Sequence, residues 1–190
     1  MQKTIVIASG NKDKIKEIQT LLKGYKIIPY KDILGDIEII ETGTTFFENA
    51  YIKAKTVSEK ANMPALADDS GISVETLNGA PGIYSARYSG LGDEGNNDKL
   101  LKELEFKENR KAKYCCSMVL CMPDGEYIDG YGECEGEILK ERVGTNGFGY
   151  DSIFYSYELQ KPMGLVELTE KNAVSHRQKA LKQLVDKITK

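Results

Sequence analysis

Three carboxylates, Glu41, Asp68 and Asp69, fall beside turn residues rather than along solvated faces: Glu41 precedes Thr42-Gly43, and the two aspartates precede Ser70-Gly71. That placement suits Mg²⁺, a hard cation that keeps several waters and takes only one or two protein carboxylates plus phosphate oxygens. The competing reading is an Asx-type turn at Asp69-Ser70, although adjacent aspartates repel unless a cation compensates them. Ser9-Gly10-Asn11-Lys12-Asp13-Lys14 lies between an apolar run and a helix start. There, backbone N–H groups and the positive end of the helix dipole favour an anion such as phosphate. The Walker pattern is absent, so an ordinary capped turn stands beside the phosphate reading.

Other residues carry two readings each. Lys53 flanks the apolar stripe of a helix, where it snorkels or meets phosphate. Phe148, between two glycines, is an aromatic plate for a flat base or a plug in the core. Ser175-His176-Arg177 opens the last helix and suits an anion or a purine carbonyl, because guanidinium is always charged and donates several hydrogen bonds. A serine-hydrolase triad is rejected, since no G-x-S-x-G elbow occurs. Gly90-Leu91-Gly92-Asp93-Glu94-Gly95 matches G-x-G-x-x-G, yet it follows no apolar strand and puts two carboxylates where pyrophosphate would sit. It reads as an exposed loop.

Composition narrows the chemistry. The chain has 190 residues, 26 Lys+Arg against 29 Asp+Glu, and a single histidine. One imidazole excludes zinc sites built on two or three histidines, so any metal must be held by carboxylate oxygen. The net charge of −3 and the lack of Lys/Arg runs argue against duplex nucleic acid as a partner. Cys115, Cys116, Cys121 and Cys134 form no C-x-x-C pair and read as buried reduced thiols. Met1-Gln2-Lys3-Thr4 does not open like a signal peptide, and no run approaches the ~20 apolar residues of a membrane span. The expectation is a cytoplasmic protein with no membrane partner.

The elements that must position these residues read as α/β with a mixed sheet. Thr4–Ala8 is a buried strand. Ile15, Ile18, Leu21 and Leu22 mark a helix closed by Gly24. Thr45-Phe46-Phe47-Glu48 is a capping box opening a second helix, with Phe47, Ala50, Ala54, Val57 and Ala61 on one face, ended by Pro64. Strands at 65–67 and 72–76 are expected on either side of a polar turn at 68–71. A short helix carries Leu100, Leu101 and Leu104, and 114–122 with 127–134 form a hairpin around Pro123-Asp124-Gly125. One terminal helix is expected to carry Val174, Leu181, Leu184, Val185 and Ile188. The chain reads as a single domain over 1–190.

In order, Ser9-Gly10-Asn11-x-x-Lys14, Glu41-Thr42-Gly43-x-x-Phe46-x-Glu48-Asn49-Ala50-x-x-Lys53-Ala54, Asp68-Asp69-Ser70-Gly71, Gly79-Ala80-Pro81-Gly82-x-x-Ser85-Ala86-Arg87-Tyr88, Gly147-Phe148-Gly149-Tyr150-Asp151 and Lys171-x-x-x-Ser175-His176-Arg177 span nearly the whole chain. Together they resemble the inosine triphosphate pyrophosphatase family, and within it the bacterial and archaeal branch acting on dITP and XTP. Two departures are Ser9, where that family often has Thr, and Ser152, where Pro commonly follows the Phe-Gly-Tyr-Asp run; neither removes a functional group. The resemblance implies an elongated mixed sheet flanked by helices, two lobes with a nucleotide cleft between them, and a homodimer. It also implies Mg²⁺, or Mn²⁺ in its place, and hydrolysis of ITP, dITP or XTP to the monophosphate and pyrophosphate. Residue by residue it implies Asp69 as proton acceptor and metal ligand, Glu41 as metal ligand, and Asp68 as a third candidate. Ser9, Gly10, Asn11, Lys12, Asp13, Lys14, Lys53 and Ser70 would contact the triphosphate. Phe148, Gly149, Tyr150, Asp151, Lys171, His176 and Arg177 would hold sugar and base. Two alternatives share this pattern: a non-catalytic nucleotide-binding or sensing module, and a pyrophosphatase for other modified nucleotides.

Overall fold

Residues Ile5 and Ile7 of β1 (Thr4–Ile7) bury into one core, and Val6 and Ala8 into another. Side chains alternate across a strand with period 2, so a strand apolar at every position needs cover on both faces. The computed structural model describes residues 3–188, apart from the side chain of Ile188; Met1, Gln2, Thr189 and Lys190 lie outside the described residues. A seven-stranded sheet runs in the order β2-β1-β3-β4-β5-β6-β7. Here β2 is Lys26–Pro29, β3 Ala65–Val74, β4 Lys111–Cys121, β5 Tyr127–Ile138, β6 Phe154–Ser156 and β7 Lys161–Pro162. β1 pairs in parallel with β2 and β3, whereas β6 pairs antiparallel with β5 and β7. The sheet is therefore mixed, as the sequence reading expected.

The helices are α1 (Lys12–Leu21), α2 (Lys31–Leu34), α3 (Phe46–Ala61), α4 (Gly92–Glu103), α5 (Leu168–Val174) and α6 (His176–Ile188). The chain divides into two compact units, residues 1–69, 116–132 and 177–190 forming the first, 70–115 and 133–176 the second. In the first unit, Ile18 and Leu22 with Ala180, Leu181 and Leu184 bring α1 and α6 against Ile5, Ile7, Leu66, Cys116, Met118 and Leu120. Ala50, Ala54 and Val57 bring α3 against Val6, Ala8, Ala65, Ala67, Val119 and Cys121. In the second unit, Leu100 of α4 and Leu104, the residue that caps it, pack with Ile72, Val74, Tyr114, Cys134, Ile138, Ile153, Phe154 and Met163. All four cysteines are buried and none is in a disulfide.

Four local expectations are corrected. β3 is one continuous strand through Asp68-Asp69-Ser70-Gly71, not two strands around a turn, and Thr76 belongs to a short 3₁₀ turn. α4 begins at Gly92, so four of the six residues of the glycine-rich run, 92–95, are helix. The terminal helix is two helices, because Ser175 takes an extended conformation between α5 and α6. The hairpin strands reach beyond their expected ends, although the turn itself closes as expected, with Gly125 N donating to Met122 O.

Candidate active site

Because β3 runs straight through them, Asp68 and Asp69 project to opposite faces of the sheet. Asp68 follows Leu66 toward α1 and α6, and Asp69 follows Ala65 and Ala67 toward α3. Strand periodicity thus separates two carboxylates that the sequence placed side by side.

On the α1/α6 face, Asp68 Oδ2 accepts from Lys14 Nζ at 3.0 Å and from Arg177 Nε at 3.2 Å. Arg177 also donates through Nη1 to Glu17 Oε2. Lys14 and Glu17 stand three residues apart on α1, the spacing that puts side chains on one helix face. Burial pushes the Asp68 carboxyl up, but Lys14, Arg177 and Lys53 outweigh it and hold it well below the usual range. Burial likewise opposes charge on Arg177, and Asp68 and Glu17 overcome it, so the guanidinium stays charged.

On the α3 face, Lys53 Nζ lies 3.0 Å from Glu41 Oε2 and 3.4 Å from Asp69 Oδ1, and Asn49 Nδ2 donates to Asp69 Oδ2 at 3.3 Å. Asn49 and Lys53 are one helical turn apart. The loop bearing Glu41 is tied to this helix: Gly43 N donates to Asn49 Oδ1 at 2.8 Å, and a Cβ at Gly43 would stand 2.6 Å from that of Glu48. The expected capping box is present, with Thr45 Oγ1 accepting from Glu48 N and Glu48 Oε2 accepting from Thr44 and Thr45 N–H. Burial raises the Asp69 carboxyl; Lys53 and Lys14 counter it only in part, and Glu41 and Asp68 add to the rise. Burial works against charge on Lys53, yet Asp69, Asp68 and Glu41 together raise it. The two neighbouring aspartates are therefore driven in opposite directions, the usual mark of a division of labour between carboxylates.

At the start of α1, Asn11 Oδ1 accepts from Asp13 N at 2.9 Å and Lys14 N at 3.1 Å, and Ser9 Oγ accepts from Asn11 N. The capped turn is thus real, and two amides of the first turn are engaged by it. Gly10, Asn11, Lys12 and Asp13 are exposed beside it.

The second unit gathers another set around Asp151, which is buried. Its Oδ2 accepts from Lys171 Nζ at 2.7 Å and Phe148 N at 2.9 Å, and its Oδ1 from Tyr114 OH at 3.1 Å. A Cβ at Gly147, where φ is +80°, would stand 2.0 Å from that Oδ2. Phe148 is half-buried, and Lys171 Nζ lies 4.6 Å from its ring centroid. The His176 ring stacks on Tyr114 at 4.8 Å and 7°. Burial, then Asp151, pushes the Tyr114 hydroxyl well above its ordinary range, so it stays a donor. Tyr150 donates to Ser85 O, and Ser70 lies in β3.

A model of the Ham1 family matches residues 5–187. The chain belongs to the Ham1 family. Among its Ham1 relatives, a dITP/XTP pyrophosphatase of Desulfotalea psychrophila is 48% identical over 95% of this chain and 82% of its own. A protein of the same name from Haemophilus influenzae is 47% identical over 99% of this chain and 100% of its own. The solved Ham1 protein of Staphylococcus aureus superposes with a TM-score of 0.89 at 40% identity, with 98% of each chain covered. The Ham1 structure from Coxiella burnetii gives 0.88 at 42%, again over 98% of each chain. The resemblance read from the ordered runs of residues is confirmed, and so is the mixed sheet with flanking helices.

Within this Ham1 chain, Lys14 and Arg177 meet at Asp68, and Lys53 joins Glu41 to Asp69. Lys171 and Phe148 meet at Asp151. Glu17, Asn49 and Tyr114 are partners that the sequence reading gave no role. Among the described residues, no three of His, Cys, Asp and Glu come together as a metal cage. The carboxylates that share Lys53 form a two-ligand set, which fits Mg²⁺ better than a fully caged ion. No helix among the described residues is long and apolar enough to cross a membrane.

Proposed function

We propose that the protein hydrolyses non-canonical purine nucleoside triphosphates, ITP, dITP and XTP, to the monophosphate and pyrophosphate. The observation that carries this reading is the Glu41–Lys53–Asp69 arrangement, in which a carboxylate of raised proton affinity stands beside a lysine and a second carboxylate. The names of the relatives at 47–48% identity support the substrate class.

Glu41 and Asp69 would hold Mg²⁺, or Mn²⁺ in its place. The ion supplies charge relief on the phosphate oxygens and a more acidic water when bound. Asp69 orients the water that attacks the α-phosphorus and accepts its proton. Asn49 fixes the Asp69 carboxylate by donating to Oδ2. Lys53 and Lys14, with Ser9 and Lys12 close to Lys14 in sequence and Ser70 next to Asp69, offset the charge developing on pyrophosphate as it leaves. Asp68, held by Lys14 and Arg177, keeps those cations in place. Arg177 enters as the counter-ion of Asp68.

The second unit carries the residues that read the base. Phe148 stacks on the purine, and Lys171, Tyr114 and His176 set the polar edge around Asp151. A donor aimed at a 6-oxo group meets the 6-amino group of ATP as donor against donor, a mismatch that supports discrimination of about 10⁴ or more. The homodimer and the cytoplasm belong to this proposal as well.

Incubation with XTP, ITP, GTP and ATP under Mg²⁺, with product identification, tests the reading. Rapid release of pyrophosphate from XTP and ITP is expected. Release of orthophosphate, or equal turnover of ATP, overturns it, and tight ITP binding without hydrolysis supports a sensing module instead.

A further inference from the structure

We propose that Asp93 and Asn97 of α4 are positioning residues for base selection, holding both backbone polar groups of Gly149 and thereby fixing where Phe148 stands. The inference rests on the reading of Phe148 as the purine plate.

Asp93 Oδ2 accepts from Gly149 N at 2.9 Å, and Asn97 Nδ2 donates to Gly149 O at 3.0 Å. The two side chains are four residues apart on one helix face, and their acceptor and donor match the donor and acceptor of a single residue. Gly149 has φ +63°, and a Cβ added there would meet nothing within 4 Å. The glycine serves backbone conformation rather than close packing, and a glycine left to itself is the residue with most freedom to lose. Two side-chain hydrogen bonds remove that freedom next to Phe148.

The same helix pins the other end of the loop. Arg142 Nη2 donates to Asp98 Oδ1 at 2.7 Å and to Glu94 O at 3.1 Å. Positions 93/97 hold residue 149 while positions 94/98 hold residue 142, and Asp151 Oδ2 accepts from Phe148 N at 2.9 Å. The glycine-rich run that mimicked a dinucleotide site thus opens a helix whose carboxylate receives a backbone N–H.

Asn97 adds an energetic argument. It is 1% exposed, and its Oδ1 has no hydrogen-bond partner among the described residues. The amide cannot be flipped to relieve this without setting oxygen against the Gly149 carbonyl. An unmade buried hydrogen bond costs stability, so packing alone would favour an apolar side chain. What the amide provides is its donor to Gly149.

The test uses D93A, D93N and N97L in the full chain, with melting temperatures to confirm folding. Three readouts are the Kd for IMP, the ITP-to-ATP ratio of kcat/KM, and hydrogen exchange of the segment 146–151. D93A and N97L are expected to raise KM for ITP and Kd for IMP about fivefold to tenfold, the worth of one hydrogen bond. They should lower the ITP-to-ATP ratio and speed exchange at 146–151, with kcat changing less than KM and pyrophosphate inhibition unchanged. D93N should retain most of the discrimination, because its amide oxygen still accepts the Gly149 N–H. Wild-type selectivity and exchange in folded D93A and N97L overturn the proposal. So does D93N as damaged as D93A, which would assign the effect to charge at the helix start. Failure of the wild-type protein to bind IMP or to prefer ITP would instead remove the reading of Phe148, and exchange at 146–151 reports the loop separately from it.

Discussion

The ammonium of Lys53 stands 3.4 Å from Asp69 Oδ1, on the opposite face of β3 from the cations that hold Asp68. Lys53 also reaches Glu41, so one lysine joins the two carboxylates proposed to hold the metal.

Replacing Lys53 with Met should therefore strengthen Mg²⁺ binding to the nucleotide-free protein by a few-fold, since a competing positive charge is removed from two acidic ligands. Turnover should fall at the same time. Calorimetric titration with Mg²⁺ checks the first part; unchanged or weaker affinity would show that Glu41 and Asp69 do not form the ion's ligand set.

Asp69→Asn should separate activity from stability. Burial raises the folded-state affinity of Asp69 for a proton above that of the unfolded chain. Its stabilising effect is present below the unfolded value of about 4 and is lost as pH rises through the folded value. At pH 7 the charged form is a net cost. The variant should lose activity by about 10²–10⁴-fold. In metal-free buffer it should melt higher, each kcal/mol relieved being worth about 2–4 °C for a chain of this length. A lower melting temperature refutes this account of the strain at Asp69.

Asp68 runs the other way. Its folded-state affinity for a proton is depressed, so its contribution is full above about pH 4 and fades as pH falls through the folded value. Asp68→Asn should destabilise the protein at pH 7 by about 3–5 kcal/mol, because buried Arg177 loses the carboxylate that its Nε faces at 3.2 Å. The variant should also show a shallower loss of stability below pH 4 in denaturant titrations. Parallel acid profiles for variant and wild type would contradict it.

Asp151→Asn should likewise cost about 3–5 kcal/mol, since it removes the carboxylate that stands 2.7 Å from the buried ammonium of Lys171. Adding Lys171→Met should recover much of that loss while leaving IMP binding impaired. Urea unfolding of both variants decides it: a double variant no more stable than the single one would mean that Asp151 acts mainly through Tyr114 and Phe148.

Much of this is legible in the sequence. The capping box at Thr45 and Glu48 is local, and so are the Pro-Asp-Gly hairpin and the apolar stripe of α3; local chemistry is what a sequence exposes. Asp68-Asp69-Ser70-Gly71 misled because four consecutive small and polar residues look like a turn. They stay in a strand because cations from α1, α3 and α6 neutralise both faces, and those partners lie up to 109 residues away. Glu17 carried no signal at all: one carboxylate on an amphipathic helix resembles any solvated residue until Arg177, 160 residues later, folds onto it. Tyr114 was hidden in an apolar run, its hydroxyl indistinguishable from core until Asp151 met it. Ser175 interrupts the last helix without glycine or proline to announce the break.

The four cysteines lie in the interior, and burial pushes the Cys116 and Cys121 thiols up, away from the reactive thiolate. Native protein should consequently be nearly silent toward maleimides. A dye attached through one cysteine introduced on the surface would then report from that position alone, with the natural sequence otherwise intact.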